Sequence, residues 1–195
     1  MRRTLVLLLT IVLIAPAAHA RSGEVPAMQY SIEWGATATF WNLRDFNYLD
    51  AEGSRVADNS SFFKYYFNAE FLAGVGFNLS DRFCLGVRTG LVGVEDNIRV
   101  IPLLARATYA FKGVCNDGAF IYGEGGVGLR DIELSRMISM AALGVGHRWA
   151  LSRRYSIDMA LAIRATLDNP TLNASAVSSN AALYGAATVS LGLNF

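Results

Sequence analysis

The sequence is poor in the residues that usually announce chemistry. Its 195 residues hold two cysteines, two histidines and four prolines. Two cysteines, Cys84 and Cys115, are too few for a disulfide scaffold. With no histidine near either of them, they also make a poor metal site. No basic run exists, and 17 Lys and Arg nearly balance 16 Asp and Glu, so the electrostatic footprint of a nucleic-acid binder is missing. There are no paired carboxylates of a hydrolase and no metal-ligand spacing, so no cofactor is expected. The one Gly-rich stretch, Gly123 to Gly128, lies inside a strand-like run with no helix after it, which excludes a phosphate loop. Beyond residue 20 no 18-residue apolar stretch occurs, which excludes a transmembrane helix. Yet 53% of the chain is apolar. Those residues must alternate with polar and small ones.

What is present begins with an export signal. Arg2 and Arg3 precede an apolar core from Leu5 to Ile14, and Ala18-His19-Ala20 supplies a small-x-small cleavage pattern. Residues 1–20 are therefore expected to be a signal peptide and 21–195 a single exported domain. Export to an oxidising compartment leaves open a disulfide between Cys84 and Cys115.

Eight runs with period-2 alternation follow one another, bounded by turn-forming residues: roughly 28–41, 62–77, 82–93, 98–111, 119–129, 137–150, 155–167 and 182–195. Asn78 to Asp81, Lys112 to Gly118 and Leu151 to Arg154 read as tight turns. Segments 42–61 and 168–181 read as long irregular loops, and 94–97 and 130–136 as shorter charged ones. Short turns at one end and longer loops at the other are the pattern of an outer-membrane barrel. The expected fold is all-β, an eight-stranded antiparallel up-and-down transmembrane β-barrel.

Strand side chains alternate between faces. One parity of each run gives about 50 outward positions without Asp, Glu, Lys or Arg, where the chain's 17% charge would place about eight. Hydrocarbon demands such a face, because an Arg or Lys at the bilayer midplane costs about 2–4 kcal/mol. A soluble barrel would hide its apolar set inside. Here the large residues fall in one set, while the charge-bearing set is rich in Gly and Ala, as a crowded interior requires. Aromatic residues fall beside the turns: Phe77, Phe83, Tyr109, Phe111, Trp149, Tyr155 and Phe195 at one end, and Phe40, Trp41, Phe62, Phe63 and Tyr65 at the other. The fifth run sits worst. Placing Glu124 inward also puts Phe120 and Tyr122 inward, and a bulge near Gly123 to Gly126 is one way out.

On these grounds the chain resembles the small outer-membrane β-barrel domain family, similar in shape to the transmembrane part of OmpA-type proteins and to the OmpX and OmpW types, and to single-domain barrels of Bacteroidota. Val189, Leu191, Leu193 and Phe195 alternate to a final Phe, resembling the signal that barrel-assembly machinery recognises. The resemblance implies an outer-membrane location, a lipid surround, that machinery as a partner during biogenesis, and a monomeric barrel. Unlike the OmpA type, no peptidoglycan-binding domain follows the barrel, so a cell-wall tether is not expected.

The inward set carries Glu33, Glu70, Glu124 and Asp158 against Arg88, Arg106, Arg148 and Arg164. These are candidates for ion pairs across the lumen, since unpaired buried charges are very costly. A filled lumen makes the protein a structural or surface-interaction barrel; a gated lumen would make it a small pore for ions or tiny solutes. A lipid-modifying enzyme is the least favoured reading. His147 sits beside Trp149 with no Ser within two or four residues on its own face. The segment Leu43 to Ser61, with Phe46, Tyr48 and Leu49 among charges, is the expected site of any surface partner.

Overall fold

The computed structural model describes residues 25–95, 98–130, 137–170 and 174–195. The expected leader lies outside these residues. Eight strands follow in order: β1 Met28–Asp50, β2 Arg55–Asn78, β3 Phe83–Glu95, β4 Ile98–Ala110, β5 Gly118–Arg130, β6 Met137–Ala150, β7 Ser156–Asp168 and β8 Ala174–Asn194. Each pairs antiparallel with the next, and β1 closes on β8 to complete the barrel. At the seam, Tyr30 and Phe195 exchange two backbone hydrogen bonds of 2.8 and 3.0 Å, and their rings stack. Closure leaves the barrel wall without an open edge, which a lipid-embedded sheet requires.

The turns at the end where the chain begins are short. In two of them one serine hydroxyl organises the bend: Ser80 Oγ accepts from the backbone N–H groups of Arg82 and Phe83, and Ser152 Oγ from those of Arg154 and Tyr155. The third turn, 111–117, carries Gly113 in the left-handed region at φ 105°. It folds inward and buries Val114.

At the opposite end the structure corrects the expected loops. Segment 42–61 is not irregular: β1 runs to Asp50, β2 starts at Arg55, and the two pair along the whole stretch. Asp50 makes the turn, its Oδ1 accepting from the backbone N–H of Glu52 at 2.9 Å and of Ser54 at 2.8 Å, with Gly53 at φ 84°. Segment 168–181 is likewise shortened, since β8 begins at Ala174 and pairs with β1 there. Both stretches hid from a pattern search for one reason. In both, polar residues fall on either parity, so no apolar alternation marks them. A three-stranded sheet in the order β2–β1–β8 therefore stands out from the rim.

A β-bulge at Phe40, between Thr39 and Trp41, marks the base of this extension on β1. Below it Glu33, Thr37 and Thr39 point into the barrel; above it Asn42 is buried instead. The extra residue exchanges the two faces of β1. β2 has no such shift and keeps its even positions inward, so Phe62 lies on the opposite face from Phe63 and Tyr65. It carries Arg44 over its ring rather than joining the outer girdle.

The exterior band matches the alternation closely. Phe67, Phe71, Leu103, Leu143, Leu161, Ile163 and Val189 are exposed, while Leu72, Leu104 and Ala162 are buried. One outward charge escaped the parity test: Arg99 is exposed near the start of β4, opposite Gly93 at the rim. A charge at that depth costs far less than one at the midplane. The fifth strand needs no bulge. Its register with β4 and β6 is continuous, and Phe120 and Tyr122 are buried inward with Glu124. Room comes from the neighbouring strand, where Gly146 faces Phe120 and Gly144 faces Tyr122. A Cβ on either glycine would fall 2.3–2.4 Å from ring carbons of its aromatic partner.

Candidate functional site

Among the described residues, ionisable groups converge in the interior. The eight inward charges expected from the sequence all have ion-pair partners, and Asp168 is a further carboxylate buried to 1% exposure. Arg88 and Arg106 both reach Glu33 Oε2, at 2.6 and 3.2 Å. Arg106 also holds Glu124 through Nη2 at 2.7 Å and Nε at 2.8 Å. Arg164 donates to Glu70 Oε2 at 2.6 Å and approaches Glu124 at 3.6 Å. Three carboxylates and three guanidiniums thus form one network across β1, β2, β3, β4, β5 and β7. Thr37 Oγ1 donates to Glu70 at 2.9 Å, and Tyr122 lies 3.8 Å beneath the Arg106 guanidinium. Arg148 and Asp158 form a separate bidentate pair of 2.7 and 2.6 Å near the turn end. Arg148 Nη1 also donates to Val114 O at 2.6 Å, which ties down the inward-folded turn.

Apolar side chains close both sides of this network. On the side of the extension, Leu72, Val92, Val100, Leu104 and Ile138 are at most 1% exposed and pack with Val94, Met140, Tyr184 and Phe46. β3 contributes by bending inward at its end, where Val94 O accepts from Thr39 Oγ1 at 2.6 Å. On the turn side, Ala110, Val114, Phe120, Tyr122, Ala160 and Ala162 form a second cluster. Between that side and the network lies a cavity of about 60 Å³, lined by Ser31, Glu33, Arg88, Arg106, Arg148 and Asp158 among others. It has room for one or two water molecules.

The apolar plug was not singled out from the sequence. Its signal was there, since residues 91–94 are uncharged on both parities, as they are where a strand end turns inward.

Cys84 and Cys115 are free thiols in the structure, not a disulfide. Both pack against the turn-side cluster, and burial pushes the Cys115 thiol up from its ordinary pKa. His147 is exposed on the exterior, its ring 4.9 Å from that of Trp149. Among the described residues no group of His, Cys, Asp and Glu is placed to hold a metal. Val189, Leu191 and Leu193 lie on the exterior face of β8, and Phe195, just after its end, is exposed with them.

No family model and no curated protein matches the chain. Solved structures do. The outer-membrane protein OprG of Pseudomonas aeruginosa is 13% identical, with 87% of this chain and 96% of that one covered and a TM-score of 0.47. The outer-membrane protein AlkL, solved in lipid bilayers, is 11% identical, with 90% and 93% covered and a TM-score of 0.49. The attachment invasion locus protein Ail of Yersinia pestis, in complex with a heparin analogue, is 11% identical, with 86% and 99% covered and a TM-score of 0.41. These are similarities of chain path, and the assignment rests on this chain's own residues. A closed ring of eight strands, an exterior that is apolar among the described wall residues apart from Arg99 at the rim, and aromatic residues beside the turns make it an outer-membrane β-barrel.

Proposed function

We propose that the protein is an integral outer-membrane barrel with a side-chain-filled lumen, which serves the envelope structurally and meets surface partners through the β2–β1–β8 extension. The observation that carries this reading is the lumen itself: a balanced network of six charges between two buried apolar clusters. Moving an ion through it would mean breaking pairs buried to a few per cent exposure and parting the plug at Leu72, Leu104 and Ile138. Each of those steps costs several kcal/mol. Purified protein in a planar bilayer is therefore expected to give no single-channel events. Reproducible openings that vanish on Arg106→Ala or Glu70→Gln would replace this reading with that of a small pore.

The 60 Å³ cavity supports the pore reading for the turn-side half of the barrel only, since the plug stands beyond it. Interaction with barrel-assembly machinery through Val189, Leu191, Leu193 and Phe195 belongs to the same proposal, as does a monomeric state within the membrane. So does an oxidised form in which Cys84 and Cys115 bond. A mobility shift on reduction of the exported protein tests the last of these.

A further inference from the structure

Two of the three short turns are built alike. Leu79-Ser80-Asp81-Arg82-Phe83 joins β2 to β3, and Leu151-Ser152-Arg153-Arg154-Tyr155 joins β6 to β7. In each, the leucine N–H donates to the carbonyl of the closing aromatic residue at 2.9 Å, and the serine N–H donates to the same oxygen. In each, the serine hydroxyl accepts from the two backbone N–H groups that follow the middle residue. The strands below continue in step. Phe77 pairs with Leu85 and Val75 with Val87; Trp149 pairs with Ile157 and His147 with Met159. The two hairpins can therefore be compared position by position.

With the backbone shared, the differences lie in the side chains, and they run one way. Where the first hairpin has Val75, Phe77, Asp81 and Phe83, the second has His147, Trp149, Arg153 and Tyr155. Every exchange brings in a hydrogen-bond donor, and one of them also turns a negative charge into a positive one. Arg82 and Arg154 are common to both. Asp81 beside Arg82 leaves the first turn neutral, whereas the second carries two guanidiniums. Asp117 reaches the second turn too, its carboxylate accepting from the Ala150 N–H, and one positive charge is still in excess there.

The second turn stands at the level of the aromatic belt. All five of its residues are exposed, Leu151 at 66%, and the rings of His147 and Trp149 meet at 4.9 Å on the exterior just below. An exposed leucine among belt rings and two cations suits the boundary between lipid tails and headgroups. Guanidiniums hold phosphate oxygens through paired N–H bonds, and Trp and Tyr offer donors at the same depth. A zwitterionic headgroup would set its ammonium against Arg153, while at the first turn that ammonium meets Asp81. The excess cation therefore selects a headgroup of net negative charge.

We infer that the Leu151–Tyr155 turn, with His147 and Trp149 beside it, binds the headgroup of an anionic phospholipid in the leaflet that the turns meet. Asp81 withholds that selectivity from the otherwise equivalent first turn. The inference rests on the barrel standing in the membrane.

Trp149 reports on its own site. Full-length protein with Trp34→Phe and Trp41→Phe keeps it as the single tryptophan. Heat-modifiable gel migration first establishes that each variant has inserted into phosphatidylcholine vesicles. Brominated phosphatidylglycerol is expected to quench Trp149 at a mole fraction about fivefold lower than brominated phosphatidylcholine. Arg153→Asp, which reproduces the first turn, should abolish that preference, and Arg153→Lys should keep most of it. The first turn supplies the converse. With Trp149→Phe and Phe77→Trp added, quenching should not distinguish the two lipids, and Asp81→Arg should then create a preference. Excess soluble glycerol phosphate should leave the quenching unchanged; displacement by it overturns the lipid as the source of the phosphate. Equal quenching of Trp149 by both lipids in an inserted barrel overturns the headgroup site alone. So does a preference indifferent to Arg153→Asp, lost on Arg153→Lys or not gained on Asp81→Arg. A parent chain that fails to insert overturns the membrane reading as well.

Discussion

Arg164 illustrates what one charge costs inside this barrel. It is 3% exposed, and its guanidinium serves both Glu70 and Glu124. Removing one partner of a buried pair strands the other and costs about 3–5 kcal/mol. Arg164→Met is therefore expected to lower unfolding stability by that amount in detergent micelles. Adding Glu70→Gln should recover part of the loss, since the orphaned carboxylate is then gone; full additivity of the two losses would refute the pairing. The glycines of β6 make a different residue-scale case. Gly144→Ala and Gly146→Ala drive a methyl into the Tyr122 and Phe120 rings, so each should cost about 1–3 kcal/mol. Tyr122→Leu should relieve Gly144→Ala specifically, read as a positive coupling in urea unfolding. A penalty untouched by Tyr122→Leu would mean that the strain lies elsewhere.

At the scale of elements, the hairpin of β1 and β2 divides at the bulge. Below it the strands build the wall; above it they pair mainly with each other and with β8. Replacing residues 48–57 with a two-residue turn removes only extension, and it spares Phe46, which packs against the plug. The shortened barrel is expected to keep heat-modifiable migration and outer-membrane location while losing surface interaction; a barrel that no longer folds would show that the extension supports the wall. The same division explains what could be read from the sequence. In the wall, lipid on one side and a tight lumen on the other impose a period of two, so Tyr65 to Phe77 and Tyr155 to Leu167 were legible residue by residue. The charges at Glu33, Arg88, Arg106 and Glu124 were legible as an inward set, but which carboxylate meets which guanidinium was not. Those pairs join strands that are not sequence neighbours, and side-chain reach across the lumen leaves no periodic trace. The extension was hidden because polar residues fall on both of its parities, which removes the alternation.

At the scale of the whole molecule, the barrel is closed in two senses. The wall has no free edge, and each of the eight lumen charges expected from the sequence is held in an ion pair. Rigid closure predicts a compact band on gels that persists in cold detergent and shifts only on heating. It also puts weight on the last strand to form the seam. Phe195→Ala removes the ring stacked on Tyr30 and one end of the aromatic girdle. Its expected effect is a lower level of assembled protein in the outer membrane, with precursor accumulating in the periplasm; unchanged assembly would show that the final Phe is dispensable as a signal.

The bulge at Phe40 has a consequence for how such a chain can change over generations. A single extra residue there shifts the parity of β1, so loss of that one codon would only straighten the strand and leave both the wall and the upper part facing as they do. Trp41 would still face outward and Asn42 inward, and Arg44 would keep the side of Phe62. Insertions above the bulge, by contrast, are harmless in twos and disruptive in ones. The extension of this lineage should therefore vary in even steps above the hinge, like a mast lengthened by whole sections above its socket.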